Sequence, residues 1–67
     1  MTLCQRLKRK RRERRLRQED VAQYLGFKSK NAYGSIENGR TKLRVEHLQL
    51  LAQLFNVSTE ELLNGTY

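Results

Sequence analysis

Lys30, Asn31, Ser35 and Asn38 fall on one arc of a helical wheel drawn over residues 30–38, together with Gly34. Ala32, Tyr33 and Ile36 fall on the opposite arc. Small, amide and hydroxyl side chains of this kind do not make a salt-bridged surface helix; they offer hydrogen bonds to a partner. A second group of residues is electrostatic. Residues 1–17 hold nine bases (Arg6, Lys8, Arg9, Lys10, Arg11, Arg12, Arg14, Arg15, Arg17) and one acid, Glu13, a net of +8. Residues 18–67 hold five bases and six acids, a net of −1. One segment therefore carries the whole excess of +7, and a pI near 10.2 with such clustering is the footprint of a polyanion binder. Nine bases in the twelve positions 6–17 repel one another strongly enough to call for a partner, nucleic acid first.

Other chemistries are thinly represented. Cys4 is the one cysteine, so an internal disulfide and Cys-rich zinc sites are ruled out. His47 is the one histidine, with no second histidine to build a metal set, and it reads as a helix-surface residue. No Ser-His-acid set and no Gly-rich phosphate loop is present, so neither catalysis, a metal nor a cofactor is expected. No stretch approaches the roughly 18 apolar residues of a membrane span, and residues 6–17 are no signal-peptide core. A cytoplasmic protein, bacterial or phage-encoded, is expected. At 67 residues and 8.0 kDa the chain fits one small domain over 1–67, a binding module more than an enzyme. Disorder is disfavoured, because Leu, Ile, Val and Phe number 17 of 67, above the rough 20% floor for disordered chains.

These groups need elements to hold them. Leu3 and Leu7 share a face, with Cys4 beside them, and predict a helix over 3–15. Arg11 occupies the next position of that face, where an apolar residue belongs. Val21, Ala22 and Leu25 predict a second helix over 18–25, with Glu19 and Asp20 suited to its positive end and Gly26 as its stop. Ser29 is an N-cap for a third helix over 30–38, ended by Asn38-Gly39. Residues 40–44 form a basic loop. Leu48, Leu51, Ala52 and Phe55 predict a helix over 45–55 with Asn56 just past its end. Ser58 and Glu61 make a capping box, Val57 and Leu62 a hydrophobic staple, and together they predict a fifth helix over 59–63, stopped by Asn64-Gly65. Zero prolines and four glycines agree with an all-α fold. Two short helices joined at Gly26, the second with an apolar back and a hydrogen-bonding front, follow the logic of a helix-turn-helix over about 18–38.

At this point the residues carry a resemblance. Gln18-Glu19-Asp20-Val21-Ala22-Gln23-Tyr24-Leu25-Gly26 resembles the helix-turn-helix signature of the phage repressor/Cro-type (XRE) family. Ile36-Glu37-Asn38-Gly39-Arg40-Thr41-Lys42 is similar to the end of that family's recognition helix and the loop after it. Leu51-Ala52, Phe55-Asn56-Val57-Ser58 and Leu62-Leu63-Asn64-Gly65-Thr66 resemble its last two helices. The resemblance covers about residues 3–66. It implies a compact five-helix, lambda-repressor-like DNA-binding domain. It further implies a transcriptional regulator, most simply a repressor, reading a palindromic operator in double-stranded DNA as a homodimer.

Residue by residue, the resemblance places Lys30, Asn31 and Ser35 at base-reading positions, and their chemistry agrees: Lys donates to guanine, Asn pairs with adenine, Ser suits either. Ala32 is suited to a thymine methyl or to the core. Gln18 matches a phosphate-gripping residue, and Asn38, Arg40, Lys42 and Arg44 match a phosphate-contacting loop. Arg17, Lys28 and Arg11 complete the expected phosphate set. Arg11 is also implied to pair with Glu37, which would account for its place on an apolar face. Two departures stand out. Gly26 to Ile36 is one residue longer than the common spacing, with the extra residue in the turn near Lys28. Arg17 stands where a Ser, Thr or Asn cap is usual, and it is suited to a phosphate instead. Gly34 is read as facing DNA at close backbone approach or as merely tolerated. Tyr24 and Tyr33 read as packing residues. Leu43, Leu63 and Tyr67 are the candidates for a dimer surface. Two rivals are an antitoxin or restriction-modification controller of the same fold, and a non-specific RNA or polyanion binder that uses segment 6–17.

Overall fold

The computed structural model describes residues 2–64, so Tyr67 and the Gly65 stop lie outside the described residues. Among those residues there are five helices and no strand: α1 (Leu3–Glu13), α2 (Gln18–Tyr24), α3 (Lys30–Glu37), α4 (Val45–Phe55) and α5 (Thr59–Asn64). Helix α3 packs chiefly on α2 and also on α1, while α5 packs on α1 and α4. The core is Leu7, Val21, Ala22, Leu25, Tyr33, Ile36, Leu51, Ala52, Phe55 and Leu62, so every helix contributes to it.

Local chemistry sets the helix starts. Thr2 opens α1 with a full capping box, its hydroxyl accepting from the Gln5 N–H and the Gln5 side chain accepting from the Thr2 N–H. Ser29 accepts from Asn31 N at 3.0 Å, and Ser58 accepts from Glu61 N at 3.0 Å. Arg17 has no acceptor to offer at the start of α2. Asp20 makes the reciprocal half of a capping box, its carboxylate accepting from the Arg17 N–H at 2.8 Å.

A common device ends four of the helices. An N–H reaches back five residues to a helix carbonyl, and the residue before it is left-handed. The bonds run from Leu16 to Arg11, Phe27 to Ala22, Arg40 to Ser35 and Val57 to Ala52. Gly26 and Gly39 adopt the left-handed geometry at φ 84° and 80°, while Arg15 and Asn56 adopt it at 57° and 56°. Leu16, Phe27 and Val57 are thereby turned in against the core. Arg15 corrects the expected first helix. Arginine carries no stop signal, yet α1 ends at Glu13 and not at residue 15, because Leu16 is returned to the core. In the opposite direction, α5 runs one residue beyond the expected 63, to Asn64.

Candidate nucleic-acid interface

Helix α3 is braced from behind and open in front. Tyr33, Gly34, Ile36 and Glu37 are buried, whereas Lys30, Asn31 and Asn38 are exposed and Ala32 and Ser35 are half-buried. The brace is electrostatic as well as apolar. Arg11 grips Glu37 with two parallel bonds, Nε to Oε2 and Nη2 to Oε1, both 3.0 Å. Its Nη1 donates to the Leu16 carbonyl at 2.8 Å. The Arg11 side chain is 11% exposed and that of Glu37 is 1% exposed. Arg11 thus fills an apolar position of α1 because α3 presents a buried carboxylate to it. The same burial corrects its expected phosphate role, since this guanidinium is spent inside the protein.

Burial pushes the Glu37 carboxyl up, but the Arg11 hydrogen bonds and charge outweigh it and hold the group below its ordinary value. The Arg11 guanidinium is raised, first by the bond to Glu37 and against its own burial. Tyr33 lies in the same pocket beside Glu37, its buried hydroxyl meeting no hydrogen-bond partner at full geometry among the described residues. Burial first, and the Glu37 charge second, raise its pKa, so it stays a neutral phenol.

Gln18 joins this network, its Nε2 donating to Glu37 Oε1 at 3.4 Å. A methyl at Gly34 would lie 3.3 Å from Gln18 Oε1. Gly34 therefore faces α2, not a ligand, which corrects both expected readings. The missing side chain makes room for the Gln18 amide.

Helix α3 forms a ridge between two clefts. One, about 380 Å³, lies between the starts of α2 and α3 and includes Arg17, Gln23, Lys28 and Lys30 in its walls. The other, about 350 Å³, is lined by Ala32 and Ser35 on one wall and Thr41, Lys42, Arg44 and His47 on the other. Ala32 thus faces this second cleft. Arg17 pairs with Glu19 at 3.0 Å and Arg44 with Glu46 at 3.7 Å, but both arginine side chains are 77% exposed. Exposed pairs contribute little, so either arginine can exchange its carboxylate for a phosphate. Lys28, Asn38, Arg40 and Lys42 are exposed around the same ridge. A ridge of hydrogen-bonding side chains between basic flanks suits a groove bordered by phosphates.

Sequence reasoning missed two features of this region. His47 is half-buried, its ring edge-on to Phe27 with centroids 4.7 Å apart and planes at 71°. The basic run also divides. Arg6 donates to the Leu62 carbonyl at 2.6 Å and to that of Leu63, at the end of α5. Arg14 donates to the Phe55 carbonyl at 3.0 Å, at the end of α4. Cations at helix C-termini satisfy orphan carbonyls and meet the negative end of the dipole. With Arg11, three of the nine bases in 1–17 are bonded to a carboxylate or to helix-end carbonyls elsewhere in the fold.

A helix-turn-helix family model matches residues 7–62. The chain is 38% identical over 65 residues to the HTH-type transcriptional regulator DdrOP3 of Deinococcus deserti. The alignment covers 97% of this chain and 50% of that protein, so the chain spans about half the length of this curated relative. No solved structure matches the chain at a significant level. No helix among the described residues is long and apolar enough to cross a membrane.

Proposed function

Since the chain belongs to the helix-turn-helix family, we propose that it is a sequence-specific regulator of transcription, most simply a repressor, acting in the cytoplasm on a palindromic site in double-stranded DNA. The observation that carries this is the open front of α3, held rigidly by the buried Arg11–Glu37 pair at its back. Lys30, Asn31 and Ser35 read base edges, with Ala32 beside them. Arg17, Gln18, Lys28, Asn38, Arg40, Lys42 and Arg44 hold phosphates on either side. One such helix reads too few base pairs for useful selectivity, so two copies act on two half-sites. Val45 and Leu63, 68% and 48% exposed, are apolar groups available for contact between copies. The name of the Deinococcus deserti relative supports the regulatory role.

Selection from random duplex DNA tests this. A palindromic winner should bind about 10³-fold or more tighter than a scrambled duplex. Equal affinity for both, with the same steep salt dependence, would remove the sequence-reading role of α3. On the selected site, Asn31→Ala should relax preference at one base position by about 1–3 kcal/mol and leave scrambled-duplex binding unchanged.

Gly34→Ala separates folding from binding. The new methyl gains up to about 1 kcal/mol of helix propensity. It also forces the Gln18 amide aside. We expect a thermal midpoint equal to or above that of the unsubstituted protein, together with weaker DNA binding. A fall in both would mean that the Gln18 contact matters more to the fold than to the phosphate.

A further inference from the structure

We propose that the outer face of α1 is a second, sequence-blind surface for the phosphate backbone of duplex DNA, turned away from the front of α3. The orientation follows from what α1 touches. Cys4 Sγ lies 3.5 Å from the Ile36 carbonyl and donates to it, Arg11 grips Glu37, and Leu7 is fully buried. That side of α1 rests on the back of α3. Gln5, Lys8, Arg9, Arg12 and Glu13 are turned outward and line a shallow concavity of about 440 Å³.

Most of the positive charge of this face has no buried partner among the described residues. Lys8 and Arg12 stand one helical turn apart with no ion-pair partner among the described residues, although like charges at this spacing disfavour the helix. Arg9 pairs with Glu13 at 3.3 Å, with side chains 65% and 50% exposed. Such a pair exchanges readily for a phosphate. Arg6, Arg11 and Arg14 show what a structural role looks like in this helix, each bonded to a carbonyl or carboxylate elsewhere in the fold.

A phosphate backbone fits the face better than an acidic protein does. Stable protein interfaces centre on buried aromatic or aliphatic anchors. Among the described residues the large exposed apolar side chains are Tyr24, Val45 and Leu63, and none lies on α1. A row of phosphates needs only cations, and their release of counterions supplies the affinity. The domain is 19 to 31 Å across, more than twice the screening length of about 8 Å at physiological salt. Two duplexes held on opposite sides would therefore be largely screened from each other.

The test uses random-sequence duplexes of about 20 bp, so its outcome is independent of whether α3 reads sequence. One duplex is immobilised and a second, fluorescent one is offered after the protein. The unsubstituted protein should capture the second duplex. The triple variant Lys8→Gln, Arg9→Gln, Arg12→Gln should bind the first and capture little of the second. Its slope of log affinity against log salt should fall by about 3. If the triple variant loses thermal stability, Lys8→Gln with Arg12→Gln spares the Arg9–Glu13 pair and should lower the slope by about 2. Undiminished capture with an unchanged slope would overturn the proposal, including the case in which two copies bridge duplexes through their α3 fronts alone. So would binding of poly-glutamate that depends on Lys8 and Arg12 while duplex binding does not.

Discussion

Glu37→Gln should cost about 3–5 kcal/mol of folding stability, the usual loss when one partner of a buried ion pair is removed. The amide keeps the shape of the carboxylate but leaves the Arg11 guanidinium, 11% exposed, without its counter-charge. A domain of this size has a total stability of only about 3–10 kcal/mol. The midpoint should therefore fall by more than about 10 °C in thermal unfolding followed by circular dichroism. A fall of a degree or two would show that the pair contributes nothing. Replacing both partners, Arg11→Met with Glu37→Leu, should recover most of the loss, because two apolar side chains leave no unpaired charge.

The pH dependence gives the same pair a sign. Glu37 is held below its ordinary value of 4.5 in the folded protein. Between the folded and unfolded values the unfolded chain binds more protons, so stability rises with pH there. The contribution is complete above about pH 5 and is lost as pH falls through the folded value. Arg11→Met should reverse this. Burial, the largest influence on Glu37, would then be opposed only by its neutral neighbours Tyr33 and Gln18 and should raise the carboxyl, so the variant should be more stable at pH 4 than at pH 7. Midpoints that fall with acidification in both proteins would place the dominant titration elsewhere.

Leu7→Ala should cost about 2–5 kcal/mol. Leu7 is the one fully buried residue of α1, because Arg11 occupies the next turn of the same face. Its loss removes the main apolar anchor of the helix and loosens the seat of Arg11 together with it. The cost of Leu7→Ala combined with Glu37→Gln should be well below the sum of the two single costs, since both undock α1 from α3. Additive costs would mean that apolar packing and the ion pair hold α1 independently.

Much of the fold was legible because helices are local. Ser29, Ser58 and Asn56 sit where caps belong, and apolar residues recur at the helical period, so α2 to α5 lie within a residue of expectation. The end of α1 was not legible. Its left-handed residue is an arginine within an unbroken basic run, and only the burial of Leu16 explains the stop. The arc drawn for α3 misplaced Gly34 for a related reason. A glycine has no side chain to reveal which neighbour approaches it, and here the neighbour is Gln18, sixteen residues earlier in the chain.

The sequence by itself determined helices α2 to α5, the caps at Ser29, Asn56 and Ser58 and the contrast between the polar front and apolar back of α3, because each depends on residues within one or two turns. It also determined the charge. Only the tertiary structure decided where that charge goes. Every arginine carries the same cation, and its role depends on which distant group it can reach. Arg6 reaches the carbonyls of Leu62 and Leu63, Arg14 that of Phe55, and Arg11 the carboxylate of Glu37. Lys8 and Arg12, on the outer side of the same helix, are exposed and have no ion-pair partner among the described residues. Those partners lie 26 to 57 residues away along the chain, so packing and not periodicity brings them together.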